Sequence, residues 1–168
     1  MSEETPARKP TLYILSAPSG GGKSSLARAL VERAQDTVTS VSHTTRPQRT
    51  GETHGVDYFF VHQSEFEQMI KDDGFLEYAR VFDHWYGTSR KVVEQAIVQN
   101  RSIMLDIDWQ GAQQVRRAFP AAVSVYILPP SVEALAQRLV DRGRDSPDEI
   151  TSRLSEAASE MSHYDEYD

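Results

Sequence analysis

Apolar residues along the chain follow two rhythms. The runs 11–16 (Thr-Leu-Tyr-Ile-Leu-Ser) and 102–107 (Ser-Ile-Met-Leu-Asp-Ile) show little alternation and read as strands buried on both faces. Segments 24–35, 89–99 and 132–142 instead place apolar residues three and four apart, as helices do. Leu26, Leu30 and Ala34 are expected to form the inner stripe of the first, and Val92, Val93, Ala96 and Ile97 that of the second. A strand at 39–42 and another at 121–128, stopped by Pro129-Pro130, complete an alternation of strand and helix, and a short helix begins near Gly111. Ser146-Pro147-Asp148-Glu149 opens the last helix with an N-cap, a proline at its first position and a glutamate at its third. The pattern predicts the α/β class, a parallel sheet flanked by helices. Between about 44 and 86 the rhythm breaks into an irregular, aromatic-rich insertion. Within it Ser64-Glu65-Phe66-Glu67 reads as a capping box opening a short helix with Phe66, Met69 and Ile70 on its apolar face.

The first strand runs into Ala17-Pro18-Ser19-Gly20-Gly21-Gly22-Lys23-Ser24-Ser25, a phosphate-binding loop. Its three glycines let backbone N–H groups converge on an anion, and the following helix adds its positive end. Lys23 reaches for β- and γ-phosphates, and the Ser24 hydroxyl suits the accompanying Mg²⁺. The first position of the usual G-x-x-x-x-G-K-[ST] pattern is Ala17. The strand before it and the helix after it supply the context that the motif requires.

Composition narrows the classes. With 168 residues the chain is expected to bury one core with a small excursion. The absence of cysteine excludes disulfides, cysteine zinc sites and thiol catalysis, and fits a cytoplasmic setting. Segment 1–10 is polar, holds two prolines and reads as a disordered leader, and no apolar run reaches the length of a membrane span. A net charge of −7 opposes non-specific attraction to nucleic acid, so no nucleic-acid or membrane partner is expected. The acid-rich end, Tyr164 to Asp168, reads as a solvated face. Five histidines show no metal-ligand spacing.

A second ligand is expected at the insertion. Arg46 and Arg49 lie three residues apart around Pro47 among small hydroxyl residues, and planar guanidinium forks suit a phosphate. Glu77 is a carboxylate in the apolar stretch Phe75-Leu76-Glu77-Tyr78. It reads either as an acceptor for the two N–H donors on one edge of guanine or as a solvent-facing strand residue. Tyr58 and Tyr86, taken singly, read as core or rim aromatics. Asp106 ends a strand opposite the phosphate loop, either orienting Mg²⁺-bound water or closing a turn.

Several motifs in order make the chain resemble a guanylate kinase of the bacterial type. They are Ser-Ala-Pro-Ser-Gly-x-Gly-Lys-Ser at 16–24, Ser-His-Thr-Thr-Arg-x-x-Arg-x-Gly-Glu at 42–52, Gly-x-Asp-Tyr at 55–58, Tyr-Gly-Thr-Ser at 86–89, Leu-Asp-Ile-Asp-Trp-Gln-Gly at 105–111 and Arg-Gly-Arg-Asp-Ser at 142–146. The resemblance implies ATP + GMP ⇌ ADP + GDP, with dGMP as a second acceptor. It implies a P-loop core at 11–43 and 87–168, a GMP-binding lobe at 44–86 and a lid around 138–153. By the same resemblance the loop amides and Lys23 hold the donor phosphates and Ser24 the metal. Arg46, Arg49, Tyr58 and Tyr86 hold the GMP phosphate, and Ser42, Glu77, Thr88 and Asp108 surround guanine. Arg138, Arg142 and Arg153 correspond to lid-side arginines; by composition alone each reads as a solvated surface residue. Nothing in the pattern fixes an oligomeric state. Pro47 lies one residue earlier than is usual in the family, which implies a slightly different shape for the arginine loop. Relatives of this type continue through a further strand and helix, so the strand at 121–128 is expected to stand uncovered. Guanylate-kinase-like binding modules of scaffolding proteins are the alternative. Such modules usually degrade the phosphate loop, which is intact here. A P-loop GTPase would need an Asn-Lys-x-Asp motif, and none is present.

Overall fold

The computed structural model describes residues 9–34, 36–141, 143 and 145–168. Most of the expected leader, 1–8, lies outside them, and Lys9 and Pro10 have no regular structure. Strand β1 (Leu12–Ser16) is central in a parallel sheet with β2 (Thr37–Thr39), β7 (Ser102–Asp106) and β8 (Val123–Tyr126), in the order β2-β7-β1-β8. Successive β1 side chains point to opposite faces. Leu12 and Ile14 join Ile103, Leu105, Val93, Ala112 and Val115 in the main core, while Leu15 packs with Met104 and Ala27 on the other side. Both faces are therefore covered, as a parallel sheet requires. Helices α3 (Arg90–Val98) and α4 (Trp109–Ala118) cover the first face, and α1 (Lys23–Arg33) covers the second.

A second sheet holds β3 (His43–Thr44), β4 (Phe59–Phe60), β5 (Phe75–Val81) and β6 (His84–Ser89), in the order β4-β3-β6-β5. Helix α2 (Gln63–Lys71) closes it, with Phe66 fully buried and stacked on Phe75 at 4.4 Å between ring centroids. Helices α5 (Val132–Asp141) and α6 (Pro147–Met161) follow β8, and Tyr164–Glu166 form a final 3₁₀ turn. Among the described residues no helix is long and apolar enough to cross a membrane.

The structure departs from the pattern in four places. The strand expected at 39–42 is split: the chain leaves the parallel sheet after Ser40 N donates to Met104 O, and His43–Thr44 pair in the second sheet. In α1 the buried residue is Ala27, whereas Leu26 and Leu30 are each 41% exposed. Lys23 and Ser24 must face the end of β7, and this turns the leucine stripe aside. Helix α2 begins one residue before Ser64, with His62 at the N-cap and no side-chain cap. The tail is solvated only in part: Tyr164 and Asp165 are exposed as expected, but Tyr167 packs on the main core under the Arg116 guanidinium, Glu166 pairs with Arg116 at 2.9 Å, and the Asp168 carboxylate accepts from Ser124 N at 2.8 Å. Glu166 and Asp168 each find a donor on either side of Tyr167, which lets that ring bury. Among the described residues strand β8 pairs only with β1, and Val123 and Val125 are 39% and 48% exposed. The capping box at Ser146 and Glu149 is formed in both directions.

Candidate active site

The phosphate loop leaves the carboxyl end of β1, next to the carboxyl end of β7, since Leu15 pairs with Asp106. Ligands of open α/β sheets bind at such ends. Gly22 stands at the helix N-cap with φ of +90°, a left-handed conformation that a side chain would strain. Ala17 takes up space next to Gly21, where a Cβ would come within 2.8 Å of the Ala17 methyl. The Pro18 carbonyl oxygen stands 2.9 Å from the same point, so both the loop backbone and Ala17 require glycine at the fifth position.

Lys23 Nζ lies 2.9 Å from Asp106 Oδ1, and Ser24 Oγ donates to Asp106 Oδ2 at 2.6 Å. Burial works against the lysine's charge, but Asp106 outweighs it and holds Lys23 above the usual lysine range. Across a cleft of about 1040 Å³ stands the arginine loop. Arg46 is buried and forks onto Glu52, with Nη1 to Oε2 at 3.0 Å and Nη2 to Oε1 at 2.8 Å, while Arg49 N donates to the same carboxylate at 2.8 Å. Burial would raise the Glu52 carboxyl, yet these contacts with Arg46 and Arg49 hold it below its ordinary range. The Arg46 guanidinium also lies over the Tyr58 ring at 5.5 Å, and Tyr58 meets Tyr86 edge to face.

Glu77 is 4% exposed on β5, which excludes the solvent-facing reading. Burial pushes its carboxyl up to about 7; the neighbouring Thr88 opposes this, and the Asp108 charge adds to it. Thr88, paired with Glu77 across β5 and β6, is fully buried. Asp108 caps α4: Oδ1 accepts from Gly111 N at 2.9 Å and Oδ2 from Gln110 Nε2 at 3.0 Å.

The cleft wall carries all nine loop residues, Ala17 to Ser25, with Ser42, Arg46, Arg49, Tyr58, Glu77, Tyr86, Asp106, Asp108 and Arg153. Thr88 lies behind Glu77, outside that wall. Arg138 approaches the loop from α5, its Nη1 3.4 Å from Gly21 O, and lines a smaller hollow with Gly20, Gly22, Ser25 and Asp141. Arg142 lies outside the described residues.

Three acids in this region were not singled out from the sequence. Glu52 has a local signal, since it follows Arg49 by three residues. Asp145 does not: it lies 3.2 Å from Arg153 and 3.9 Å from Arg49, between α6 and the arginine loop. Glu160 accepts from Ser19 N at 3.0 Å across 141 residues of sequence, while Arg153 Nη1 donates to Ser19 Oγ at 2.9 Å.

A phosphate loop, a strand-end carboxylate and a facing arginine loop with a buried glutamate occupy one cleft, and the guanylate kinase family profile matches residues 9–168. The chain belongs to the guanylate kinase family. It is 59% identical to the guanylate kinase of Methylococcus capsulatus over 157 residues, which are 94% of this chain and 77% of that protein. It is 56% identical to the enzyme of Photorhabdus laumondii over 160 residues, again 94% and 77%. The crystal structure of guanylate kinase from Anaplasma phagocytophilum superposes with a TM-score of 0.79 at 36% identity, covering 96% of this chain and 76% of that one. The chain thus spans about three-quarters of the length of these guanylate kinases. The α/β architecture expected from the alternating pattern is the architecture of this family.

Proposed function

We propose that this guanylate kinase family member transfers the γ-phosphoryl group of ATP to GMP, and to dGMP, giving ADP and the nucleoside diphosphate. The observation that carries the reading is the single cleft joining Lys23 and Ser24 on Asp106 to Arg46 and the buried Glu77. The loop amides and Lys23 hold the donor phosphates. Arg46 and Arg49, with Tyr58 and Tyr86, take the GMP phosphate, and a phosphate replaces the Glu52 carboxylate that now fills their donors. Ionised Glu77 accepts both N–H groups of the guanine edge, an edge on which adenine offers no such pair. Ser42 and Asp108 complete that wall, Thr88 backs Glu77 from behind it, and Arg153 faces the transferring group from α6.

Ser24 Oγ and Asp106 fit a magnesium ion held largely by phosphate and water oxygens. No cluster of three or more metal-binding side chains exists among the described residues, and none is needed for such an ion. Bound Mg²⁺ supplies charge neutralisation on the phosphates. The attacking oxygen belongs to a phosphate monoester with a second pKa of about 6, so no general base is required. Alignment and cationic contacts carry the rate. An intact Lys23 and Ser24 favour catalysis over a non-catalytic binding module. The deciding assay measures ADP formation by the purified chain with GMP, dGMP, AMP, CMP and UMP as acceptors. Turnover with the guanine nucleotides alone is expected; equal turnover with AMP would overturn the guanine reading.

A further inference from the structure

We propose that Gly111 is a specificity-determining position: the space left by its missing Cβ seats the Glu77 carboxylate, so that helix α4 fixes where the guanine-reading group stands. The inference rests on the reading of Glu77 given above and assigns that role to a residue outside the substrate cleft. Gly111 is the third residue of α4 and is buried. A Cβ built on it would collide with Glu77 Oε2 and stand 3.0 Å from the carboxylate carbon. The next nearest atom, Ile107 Cβ at 3.4 Å, is an ordinary contact. Only the carboxylate, then, forbids a side chain here.

One turn along the same helix, Gln114 secures the next residue of β5. Its Oε1 accepts from Tyr78 N at 3.1 Å and its Nε2 donates to Tyr78 O at 2.7 Å. Residues three apart on a helix share a face. That face of α4 thus grips β5 twice, by an amide fork at Tyr78 and by an empty Cβ site at Glu77. A carboxylate that must meet two donors of a planar base tolerates little displacement, and any side chain at 111 would push it from the register that Gln114 sets.

Intrinsic propensity makes the test sharp, because alanine is favoured over glycine inside a helix. Gly111→Ala should therefore stabilise the protein unless the carboxylate is in the way. Calorimetric titration of GMP and ATP, with thermal melting, is compared for the wild-type chain, G111A, E77A and the double variant. G111A is expected to weaken GMP binding by about ten- to a hundredfold, the range for a lost charge-assisted hydrogen bond. ATP affinity should stay within about twofold of wild type, and the melting temperature should fall. In the E77A background the same substitution should leave GMP affinity unchanged and leave the melting temperature equal or higher. Wild-type GMP binding by G111A, or the same fall in melting temperature in both backgrounds, overturns the proposal. If E77A binds GMP as the wild type does, the base-reading role of Glu77 fails instead. The melting temperatures then decide the seat alone: a fall confined to the Glu77 background upholds it, and an equal fall in both overturns it.

Discussion

At the residue scale the site consists of charges set against burial. Glu77 has a carboxyl near 7 in the folded protein against an ordinary 4.5. Between those values the folded state keeps a proton that the unfolded chain has lost, so stability declines as pH rises from 4.5 to 7. Glu77→Gln keeps the shape and removes the titration. The variant is expected to melt above the ligand-free wild type at pH 8, by up to about 3 kcal/mol, and to converge with it towards pH 4.5. Because guanine donors favour the ionised carboxylate, GMP binding near pH 6.5 should release a proton in the wild type that E77Q does not release. Calorimetry in buffers of different ionisation heat reads that difference. E77Q should also lose GMP affinity while ATP affinity holds. For Lys23, whose ion pair with Asp106 places it at the phosphate loop, Lys23→Ala is expected to lower turnover on the order of 10²-fold or more with the fold retained. Circular dichroism beside the ADP assay checks both halves; near-normal turnover in a folded variant would remove the kinase reading.

At the element scale, what could be read from the sequence was what is local. The order of strands and helices, the phosphate loop and the Ser146 capping box are each written within a few neighbouring residues. The split at 39–42 was not legible, because strand propensity does not say which sheet a strand joins. Nor was the burial of Glu77, since a strand's pattern leaves open which face meets another element; only α4 arriving from residues 109–118 decides it. The acids at 145 and 160 depend on partners brought together by the fold, whereas Glu52 meets arginines three and six residues before it. The Ser146 box starts the helix that delivers Arg153 and Glu160 to Ser19. Ser146→Ala is expected to cost about 1 kcal/mol, read by chemical denaturation, with a larger proportional loss in turnover than in GMP affinity.

At the scale of the whole molecule, the proposed reaction would divide between the two sheets. Asp145 spans the gap between them, placed between Arg153 of α6 and Arg49 of the second sheet's loop. A cleft that stayed open during transfer would let water take the phosphoryl group. GMP and ATP together are therefore expected to compact the protein more than either does alone, as measured by small-angle scattering. Superimposable profiles for the free and doubly bound forms, with binding verified, would count against closure.

Each cation facing the cleft already has an anionic partner: Lys23 has Asp106, Arg46 has Glu52, and Arg153 has Asp145. Nucleotide binding is then an exchange of one anion for another rather than the neutralisation of bare charge. The long side chains surrender their rotamer freedom when the chain folds, on the order of 2 kcal/mol for each, and not when substrate arrives. Salt should accordingly weaken GMP binding much less steeply than it weakens phosphate capture by unpaired arginines. A titration of affinity against ionic strength, with Glu52→Gln as the comparison in which Arg46 loses its resident anion, would show the slope steepen.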